Sequence, residues 1–372
     1  MKLTYIHASP IRAGAANAVH VVRMCSAFAR QGADVLLVVP LLPESIPHAA
    51  IPDHFGDSAR GFRMHEVRRW PRGATFQFPV AAARVTLAER PDIVYTRAIL
   101  PAAATCTVGL TTVFEAHVPV RALGALSIRA FEWAERSGHL AGVVTITHAL
   151  AAAITRDHPR VAGRVHVAPD GADPVAHSDG VGSAARPGGG LRVGYVGQLY
   201  PGKGMELIGP LAALRAQDEF HVFGGPESLA SEWHLAYPAE NLHFRGSVAP
   251  GAVPGILQTF DVLLAPYQRS VRGRDGQTEI GDWMSPLKIF EYMAAGRPII
   301  ASDLPVLREV LVDGKNALLC APDDASAWAR GLSRLADDPT LARRLASTAL
   351  SELKCRYTWD ERARRLLSLL QK

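Results

Sequence analysis

The stretch Leu3–Pro40, LTYIHASPIRAGAANAVHVVRMCSAFARQGADVLLVVP, decides the fold of the first half of the chain. It predicts a short apolar strand, a loop containing Gly and Ala, a helix that Gly32 can end, and a second apolar strand. Because two strands joined through one helix run parallel, this βαβ unit predicts a parallel sheet. The later segments PDIVYTR, TVFEAH, GVVTIT and RVHVAP predict further strands, which extend the same α/β domain to residue 170.

The second half of the chain repeats this rhythm. After a linker over 171–190 that is rich in Gly, Pro, Ser and Asp, LRVGYVGQL predicts a strand, KGMELIGPLAALRAQ a helix and EFHVFGG a strand. FDVLLAPY and RPIIAS predict strands on either side of the helix LKIFEYMAAG. We therefore predict an α/β protein with two doubly wound parallel-sheet domains, 1–170 and 191–356, and a terminal helix over 357–372 that packs back on the first domain.

The composition excludes several classes of protein. Of the 372 residues, 48% are hydrophobic and 20% charged, which excludes a disordered chain. The four cysteines form no CxxC pair, which argues against a zinc site or a disulfide framework. The net charge of +5, without a cluster, does not indicate a nucleic-acid partner. No apolar stretch reaches the ~20 residues of a membrane span and no signal-peptide pattern begins the chain, so we expect a cytoplasmic protein.

The basic excess lies in the first half. Residues 1–180 carry 18 Lys/Arg against 14 Asp/Glu, or +4, whereas the remainder carries 22 against 21, or +1. The segments RALGALSIRAFEWAERS (Arg121–Ser137) and RRWPRG (Arg68–Gly73) mix basic with apolar residues. Peripheral contact with the inner face of an anionic membrane is one interpretation. A core-facing helix, for the first segment, is the other.

The segment SPLKIFEYMAAGRPII, which begins at residue 285, indicates an anion site. Ser285–Pro286 can cap and start a helix, and Gly296 can end it. The N–H groups of Leu287 and Lys288 would then lie at the positive end of the helix dipole, which suits a diphosphate. Glu291, one turn further along, can accept hydrogen bonds from ribose hydroxyls.

The segment VGYVGQLYPGKG, residues 193–204, indicates a second phosphate contact. A strand ends near Gly197, and Lys203 stands in the loop that opens the next helix, where it can meet a phosphate as a point charge. Met205 follows Gly204 where a P-loop needs Ser or Thr, so a P-loop NTPase is disfavoured.

Together these segments resemble the retaining, nucleotide-sugar-dependent glycosyltransferases of family 4, which have the GT-B fold. The resemblance covers nearly the whole chain and rests on these segments in order: ANAVHVVRMCSAFARQGADV, FEAH, GQLYPGKG, HVFGGP, LHFRGSV, FDVLLAPY and SPLKIFEYMAAGRPIIAS. It implies two Rossmann-like domains that face each other across a cleft, with the acceptor bound by the first and the nucleotide sugar by the second.

The resemblance also implies roles for individual residues. Lys203 would neutralise the donor diphosphate, amides near Leu287 and Lys288 would bind its terminal phosphate, and Glu291 would hold the ribose. His117 would lie beside the transferred sugar and act with Lys203 in catalysis. Gly14 would allow close backbone approach, and Arg245, Gly246 and Val248 would lie near the base. The remaining implied donor positions are Gly197, Gln198, Ser285 and Pro286.

Two positions depart from the family pattern. The first of the family's two Glu residues is Trp283 here, with Asp282 adjacent and Glu279 nearby, so Asp282 and Trp283 are our candidates for contact with the sugar. An Arg that often follows the first glycine of GQLYPGKG is Gln198. Because Lys288 lies at a helix N-terminus, our hypothesis is that it supplies the phosphate-binding cation that the missing Arg would provide.

The expected reaction needs neither a metal nor a cofactor. No DxD-type metal motif stands out, and Asp323–Asp324, before a helical pattern, predicts a cap. A double displacement requires a carboxylate on the opposite face of the sugar, and the sequence offers no well-placed one. We therefore expect the family's front-face route, in which the departing phosphate accepts the proton of the acceptor hydroxyl and His117 positions the sugar.

Several alternatives stay open. One is another enzyme of this fold, such as a nucleotide-sugar epimerase or a phosphorylase, and another is a non-catalytic nucleotide-sugar-binding protein. A dinucleotide-dependent oxidoreductase is disfavoured because neither ASPIRAGAAN nor GQLYPGKG contains GxGxxG. UDP is favoured as the nucleotide on family frequency, while GDP stays open. The acceptor can be a glycan, a glycolipid or a small metabolite, and the hexose itself is not specified.

Overall fold

The chain folds into two compact units. The computed structural model describes residues 1–12, 15–68, 74–176, 190–273 and 278–370. Unit 1 comprises Met1–Asp170 together with Trp359–Lys372, and unit 2 comprises Gly171–Thr358. Gly14 and residues 177–189 of the predicted linker lie outside the described residues.

Unit 1 contains a seven-stranded parallel sheet. Its strands are β1 (Lys2–Ile6), β2 (Asp34–Leu41), β3 (Arg63–Arg68), β4 (Ile93–Thr96), β5 (Thr112–Ala116), β6 (Leu140–Thr145) and β7 (Val165–Val167). They lie side by side in the order β3-β2-β1-β4-β5-β6-β7, so the order reverses between β1 and β4. The predicted doubly wound sheet is confirmed. Strand β3 was not predicted because RMHEVR, a half-buried edge strand, carries charged residues at three of its six positions.

In the described residues up to Asp170, unit 1 also contains α-helices. They are α1 (Ala16–Arg30), α2 (Ile51–Phe55), α3 (Ala74–Glu89), α4 (Ile99–Thr107), α5 (Ala125–Arg136) and α6 (His148–Asp157). Helix α1 buries its apolar face, including Val22 and Phe28, and Gly32 follows it with φ of 86°. That left-handed conformation lets the chain turn directly into β2, as the sequence predicted.

Unit 2 contains a six-stranded parallel sheet. Its strands are β8 (Arg192–Val196), β9 (Glu219–Phe223), β10 (Leu242–Phe244), β11 (Val262–Ala265), β12 (Ile299–Ser302) and β13 (Leu318–Cys320). Its helices are α7 (Met205–Leu214), α8 (Glu227–Ala236), α9 (Val253–Leu257), α10 (Leu287–Ala295), α11 (Ala325–Asp337) and α12 (Pro339–Arg356). The strand order β10-β9-β8-β11-β12-β13 reverses between β8 and β11, and ligands of such sheets bind at the carboxyl ends of the strands beside this reversal. Asp324 accepts a hydrogen bond from the Ala327 amide at 3.0 Å, which confirms the predicted cap of α11.

The last helix, α13 (Trp359–Leu370), belongs to unit 1 and packs on α1. The ring of Trp359 meets the edge of His20 at a centroid distance of 5.2 Å. Arg30 of α1 pairs with Asp360 at 2.7 Å on the outer side of the contact. The unit thus combines residues that are more than 300 positions apart in sequence.

Helix α5 lies in the segment Arg121–Ser137, whose mixture of basic and apolar residues is compatible with either membrane contact or packing on the core. Phe131 and Ala134 are buried, so one face of α5 packs on the core of unit 1. Leu126 and Trp133 are exposed by 45% and 56%, so the outer face carries apolar side chains as well. Of the other basic patch, residues 69–73 lie outside the described part of the chain. None of the helices described is long and apolar enough to cross a membrane.

Candidate functional site

In unit 2, the carboxyl end of β8 approaches the beginning of α10. Gly197 directly follows β8, and its N–H donates to the Phe223 carbonyl at 2.9 Å. A Cβ atom on Gly197 would lie only 2.6 Å from Nζ of Lys288. A Cβ atom on Gly224 would lie 1.9 Å from the Gly197 carbonyl oxygen. This loop therefore needs glycine for close packing, and the Lys288 side chain reaches directly to it.

Lys288 occupies the first turn of α10 and is almost fully buried. Its Nζ lies 3.8 Å from the ring centre of Tyr195 and 4.9 Å from that of Tyr267. Within the described residues this Nζ has no hydrogen-bond partner. Burial, and next the charge of Lys203, hold the pKa of Lys288 well below its ordinary value.

Lys203 approaches the same tyrosine from the loop before α7. Its Nζ lies 5.5 Å from the ring centre of Tyr267, so the amines of Lys203 and Lys288 share one aromatic ring. Burial lowers the pKa of Lys203 to about 8, and Glu279 opposes that shift in part. The amines of Lys203 and Lys288, which come from separate segments, thus lie close together beside the N-terminus of α10. In the sequence, only the positions of the two lysines along the chain suggested this proximity.

The start of α10 provides the predicted helix terminus. Pro286 occupies the N-cap position, Leu287 begins the helix, and Gly296 ends it with φ of 63°. The first-turn amides of a helix lack partners within the helix, so they can bind an anion. Ser285 is buried, and Glu291 lies half-buried one turn beyond Leu287. The predicted helix is confirmed, while the ligand contacts of these residues stay predictions.

The residues predicted near the base lie at the end of β10. Arg245 donates its backbone N–H to the Val222 carbonyl at 2.8 Å, and its guanidinium lies 3.3 Å from Nδ1 of His221. The Gly246 carbonyl accepts from the Gly224 amide at 2.8 Å, and Val248 packs on the core of unit 2. The base segment is thereby tied to the loop after β9. The Gln198 carbonyl is held in turn by the Tyr195 hydroxyl at 2.6 Å.

The loop before α10 contains the two candidate sugar contacts. Asp282 is exposed and Trp283 is half-buried. Glu279, the other nearby carboxylate, accepts from the amides of Val271 at 2.8 Å and Gly281 at 3.0 Å. Its second oxygen accepts from the Ser270 hydroxyl at 2.6 Å. Both oxygens of Glu279 therefore accept hydrogen bonds from the loop and stabilise its conformation.

In unit 1, we define the buried ion cluster as His20, Glu115, His117, Asp170 and Arg362. Glu115 of β5 is fully buried and has Nε2 of His117 at 2.6 Å and Nε2 of His20 at 2.9 Å. Arg362 of α13 approaches its other oxygen at 3.2 Å, where the Tyr95 hydroxyl also donates. Nδ1 of His20 lies 2.9 Å from Asp170. The cluster therefore joins α1, β5, α13 and the end of the unit 1 segment that begins the chain.

The charged groups of the cluster shift one another's pKa values. Burial would raise the pKa of Glu115, but Arg362 and His20 outweigh it and hold that pKa well below its ordinary value. Burial, and next the Arg97 guanidinium, lower the pKa of His117 to about 4, although Glu115 opposes this. His117 is therefore neutral at pH 7. Because its Nε2 faces a carboxylate, the ring proton belongs on Nε2, and Nδ1 is a hydrogen-bond acceptor.

Only one member of the cluster, His117, was predicted to be functional. The sequence predicted no functional role for Glu115, Arg362, His20 or Asp170. A carboxylate in the middle of the apolar strand TVFEA was the available signal, because buried charges are paired or functional. Its partners come from remote parts of the chain, so periodicity could not identify them.

Three members of the cluster also have the donor types of a metal site. One ligand atom each of His20, Glu115 and His117 lies within 4.8 Å of the others. The same carboxylate, however, has Arg362 at 3.2 Å and Nε of Arg97 at 3.9 Å. A divalent cation would be repelled by these two guanidinium groups, so the arrangement favours a paired ion cluster over a metal centre.

Comparisons with known proteins agree with this architecture. The profile of the family described as Glycosyltransferase Family 4 matches residues 18–175, and that described as Glycosyl transferases group 1 matches residues 190–338. The chain belongs to the family 4 glycosyltransferases. In this family 4 chain, the first match lies in unit 1 except for its last five residues, 171–175, and the second lies in unit 2.

Curated relatives of this family 4 glycosyltransferase match over part of their length. The phosphatidyl-myo-inositol mannosyltransferase of Mycolicibacterium smegmatis is 29% identical over 52% of the chain and 48% of the relative. The 2-deoxystreptamine glucosyltransferase of Streptomyces kanamyceticus is 26% identical over 61% of the chain and 57% of the relative. The chain thus spans about half the length of these curated relatives.

Solved structures share the fold over the whole chain. Anabaena HepE, solved with UDP and glucose, superposes with a TM-score of 0.74 at 17% identity and covers 100% of both chains. Sucrose-phosphate synthase from Thermosynechococcus elongatus superposes with a TM-score of 0.72 at 16% identity, covering 100% of this chain and 98% of the other. The family 4 chain therefore has the GT-B fold, with two Rossmann-like parallel-sheet domains.

Proposed function

We propose that the protein is a retaining hexosyltransferase that moves a sugar from a nucleoside-diphosphate sugar to an acceptor hydroxyl. The observation that carries this proposal is the convergence of Lys203 and Lys288 on Tyr267, beside the N-terminus of α10. Negative charge builds on the diphosphate as the glycosidic bond breaks, and preorganised cations and amides stabilise it most in the transition state. Because these groups can supply positive charge beside a bound diphosphate, we propose a reaction without a metal or a cofactor.

We propose UDP as the nucleotide, with GDP as the competing candidate. The support is that the Anabaena neighbour with the same fold was solved with UDP and with UDP-glucose. Thermal shift assays with UDP, GDP and ADP at equal concentrations test this, because the tightest ligand raises the melting temperature most. A largest shift with GDP or ADP would replace UDP in the proposal.

For unit 1 we propose that His117 positions the transferred sugar. A neutral ring with Nδ1 as acceptor can receive a hydrogen bond from a sugar hydroxyl, and Glu115 at 2.6 Å fixes the ring orientation. In this route the departing phosphate, and not His117, accepts the proton of the acceptor hydroxyl. NMR of the product decides the stereochemistry, and an inverted anomeric centre would reject the front-face route.

Matched lysine variants test the donor site. Lys203→Met and Lys288→Met should both weaken donor binding, because each removes an amine that can carry positive charge beside the bound diphosphate. Lys315→Met is the control, since Lys315 is exposed and pairs with Glu352 on the surface. Donor affinity that is unchanged in Lys203→Met would reject this location for the diphosphate.

A non-catalytic nucleotide-sugar-binding protein is the second candidate, because Trp283 replaces the first Glu of the family pattern. Slow hydrolysis of the donor, present in the natural protein and absent from Lys203→Met, would exclude it. The names of two relatives include phosphatidyl-myo-inositol and 2-deoxystreptamine. We therefore propose both a glycolipid and a small metabolite as acceptors for screening, and liposome co-sedimentation as the test of peripheral membrane contact.

A further inference from the structure

The amine of Lys288 is buried where the described residues offer it no hydrogen-bond acceptor. The nearest aromatic group, Tyr195, presents its ring face at 3.8 Å, while its hydroxyl donates to the Gln198 carbonyl. The hydroxyl of Tyr292, on the same helix, is engaged with the backbone of Val196. The ionisable groups around the amine are Lys203 before α7, Tyr195 on β8, Tyr267 after β11, and Glu291 and Tyr292 on α10 itself.

A permanently charged ammonium is unfavourable in these surroundings. Burying an unpaired charge costs more free energy than contact with two aromatic faces returns. Lys203 adds repulsion, and among the charged groups of the described residues around the amine, Glu291 favours a positive charge. The uncharged amine avoids these costs, which agrees with the lowered pKa of Lys288.

We propose that Lys288 is uncharged in the empty site and takes up one proton from solution when a diphosphate binds. The inference rests on the proposed function, because the phosphate oxygens supply the acceptors and the negative charge that the empty site lacks. The proton is transferred from buffer to Nζ, and the resulting ammonium donates to the ligand. Lys203 would act differently, because at neutral pH it is already mostly charged.

This device makes affinity for the diphosphate depend on pH. At pH values above the pKa of Lys288 in the empty site and below its pKa in the complex, each unit rise in pH should raise the Kd for UDP about tenfold. Uridine, which lacks phosphates, should bind without proton uptake and without this dependence.

Calorimetric titration of UDP at pH 7.0, in buffers with different ionisation enthalpies, measures the number of protons taken up. Lys203, with a pKa of about 8, should contribute an uptake of ~0.1 proton. The terminal phosphate, with a pKa of about 6, should release about the same fraction. The natural protein should therefore take up about one proton. Lys288→Met should take up almost none and bind about tenfold more weakly, whereas Lys203→Met should keep the uptake of about one.

Each result has a distinct meaning. UDP binding with no proton uptake by the natural protein would overturn the inference and leave the proposed function intact. Uptake that persists in Lys288→Met would assign the proton to another group and also overturn it. Failure of UDP, GDP and ADP to bind at all would overturn both proposals. If Lys288→Met does not fold, the Kd of the natural protein between pH 6.5 and 7.5 decides, and a flat profile refutes the inference.

Discussion

Arg362→Met should destabilise unit 1 by removing the cation that links α13 to β5. The guanidinium is almost fully buried, pairs with Glu115 at 3.2 Å and donates to the carbonyls of Ala168 at 3.1 Å and Pro169 at 3.0 Å. Met keeps most of the apolar stem but leaves a buried carboxylate without its main partner. Breaking a buried ion pair in this way costs about 3–5 kcal/mol. In a unit of this size, ~1 kcal/mol shifts the melting temperature by ~2–4 °C, so we expect a loss of about 10 °C.

Differential scanning calorimetry measures this loss, read from the transition of unit 1. Asp360→Asn is the matched control, because it removes the exposed pair with Arg30 on the same helix and should cost about 1 kcal/mol or less. A double variant of Arg362→Met with Glu115→Gln should lose less than the sum of the single variants, since the two charges interact. If Arg362→Met and Asp360→Asn melt within about 2 °C of each other, the buried ion cluster does not stabilise α13, and the reasoning fails.

Three further predictions concern the loops, pH and metals. Gly204→Ala should destabilise unit 2 by at least ~2 kcal/mol, because φ is 116° and the new Cβ would lie 2.2 Å from Pro266 Cγ. In the same urea titration Gly255→Ala, whose Cβ would meet nothing within 4 Å, should be nearly neutral. Burial first, and next Arg97, lower the pKa of His7 to about 3 and of His117 to about 4, so the folded state favours the neutral rings. Their contribution is complete above pH ~6.5 and is lost as the pH falls towards 4, so the melting temperature of unit 1 should decline between pH 6.5 and 4.5; a flat profile would contradict these shifts. EDTA should change neither the melting temperature nor UDP binding, and a loss that Zn²⁺ restores would reassign the buried ion cluster as a metal centre.

Strong periodic patterns predicted most of the fold. The stretches that became β1, α1 and β2 have clear apolar periods and a glycine stop, so local propensity and the final fold agree there. Strands β3, β10 and β13 were missed because they are short or lie at sheet edges, where a strand needs little apolar sequence. Their neighbours in the sheet, more than their own residues, decide that they are strands.

The sequence also predicted part of the candidate site of unit 2. Lys203 and the start of α10 were marked by position, since a strand-to-helix loop and a helix N-terminus are defined by local sequence. The sequence could not predict whether Lys288 points into solvent or into the fold, because that depends on how closely Gly197 lets β8 approach α10. Its burial against Tyr195 and Tyr267 is a property of the packing.

By itself, the sequence determined two parallel-sheet domains, the positions of the helix terminus and loop lysine, and membership of a family through motifs in a fixed order. The physical reason is that strand periods, glycine stops and helix starts are local and repeat along the chain. Only the tertiary structure decided that Lys203 and Lys288 share one tyrosine, and that Glu115 meets both His20 and Arg362. Charge pairs form between residues up to 330 positions apart, as between Arg30 and Asp360, and no local pattern encodes which residues will meet.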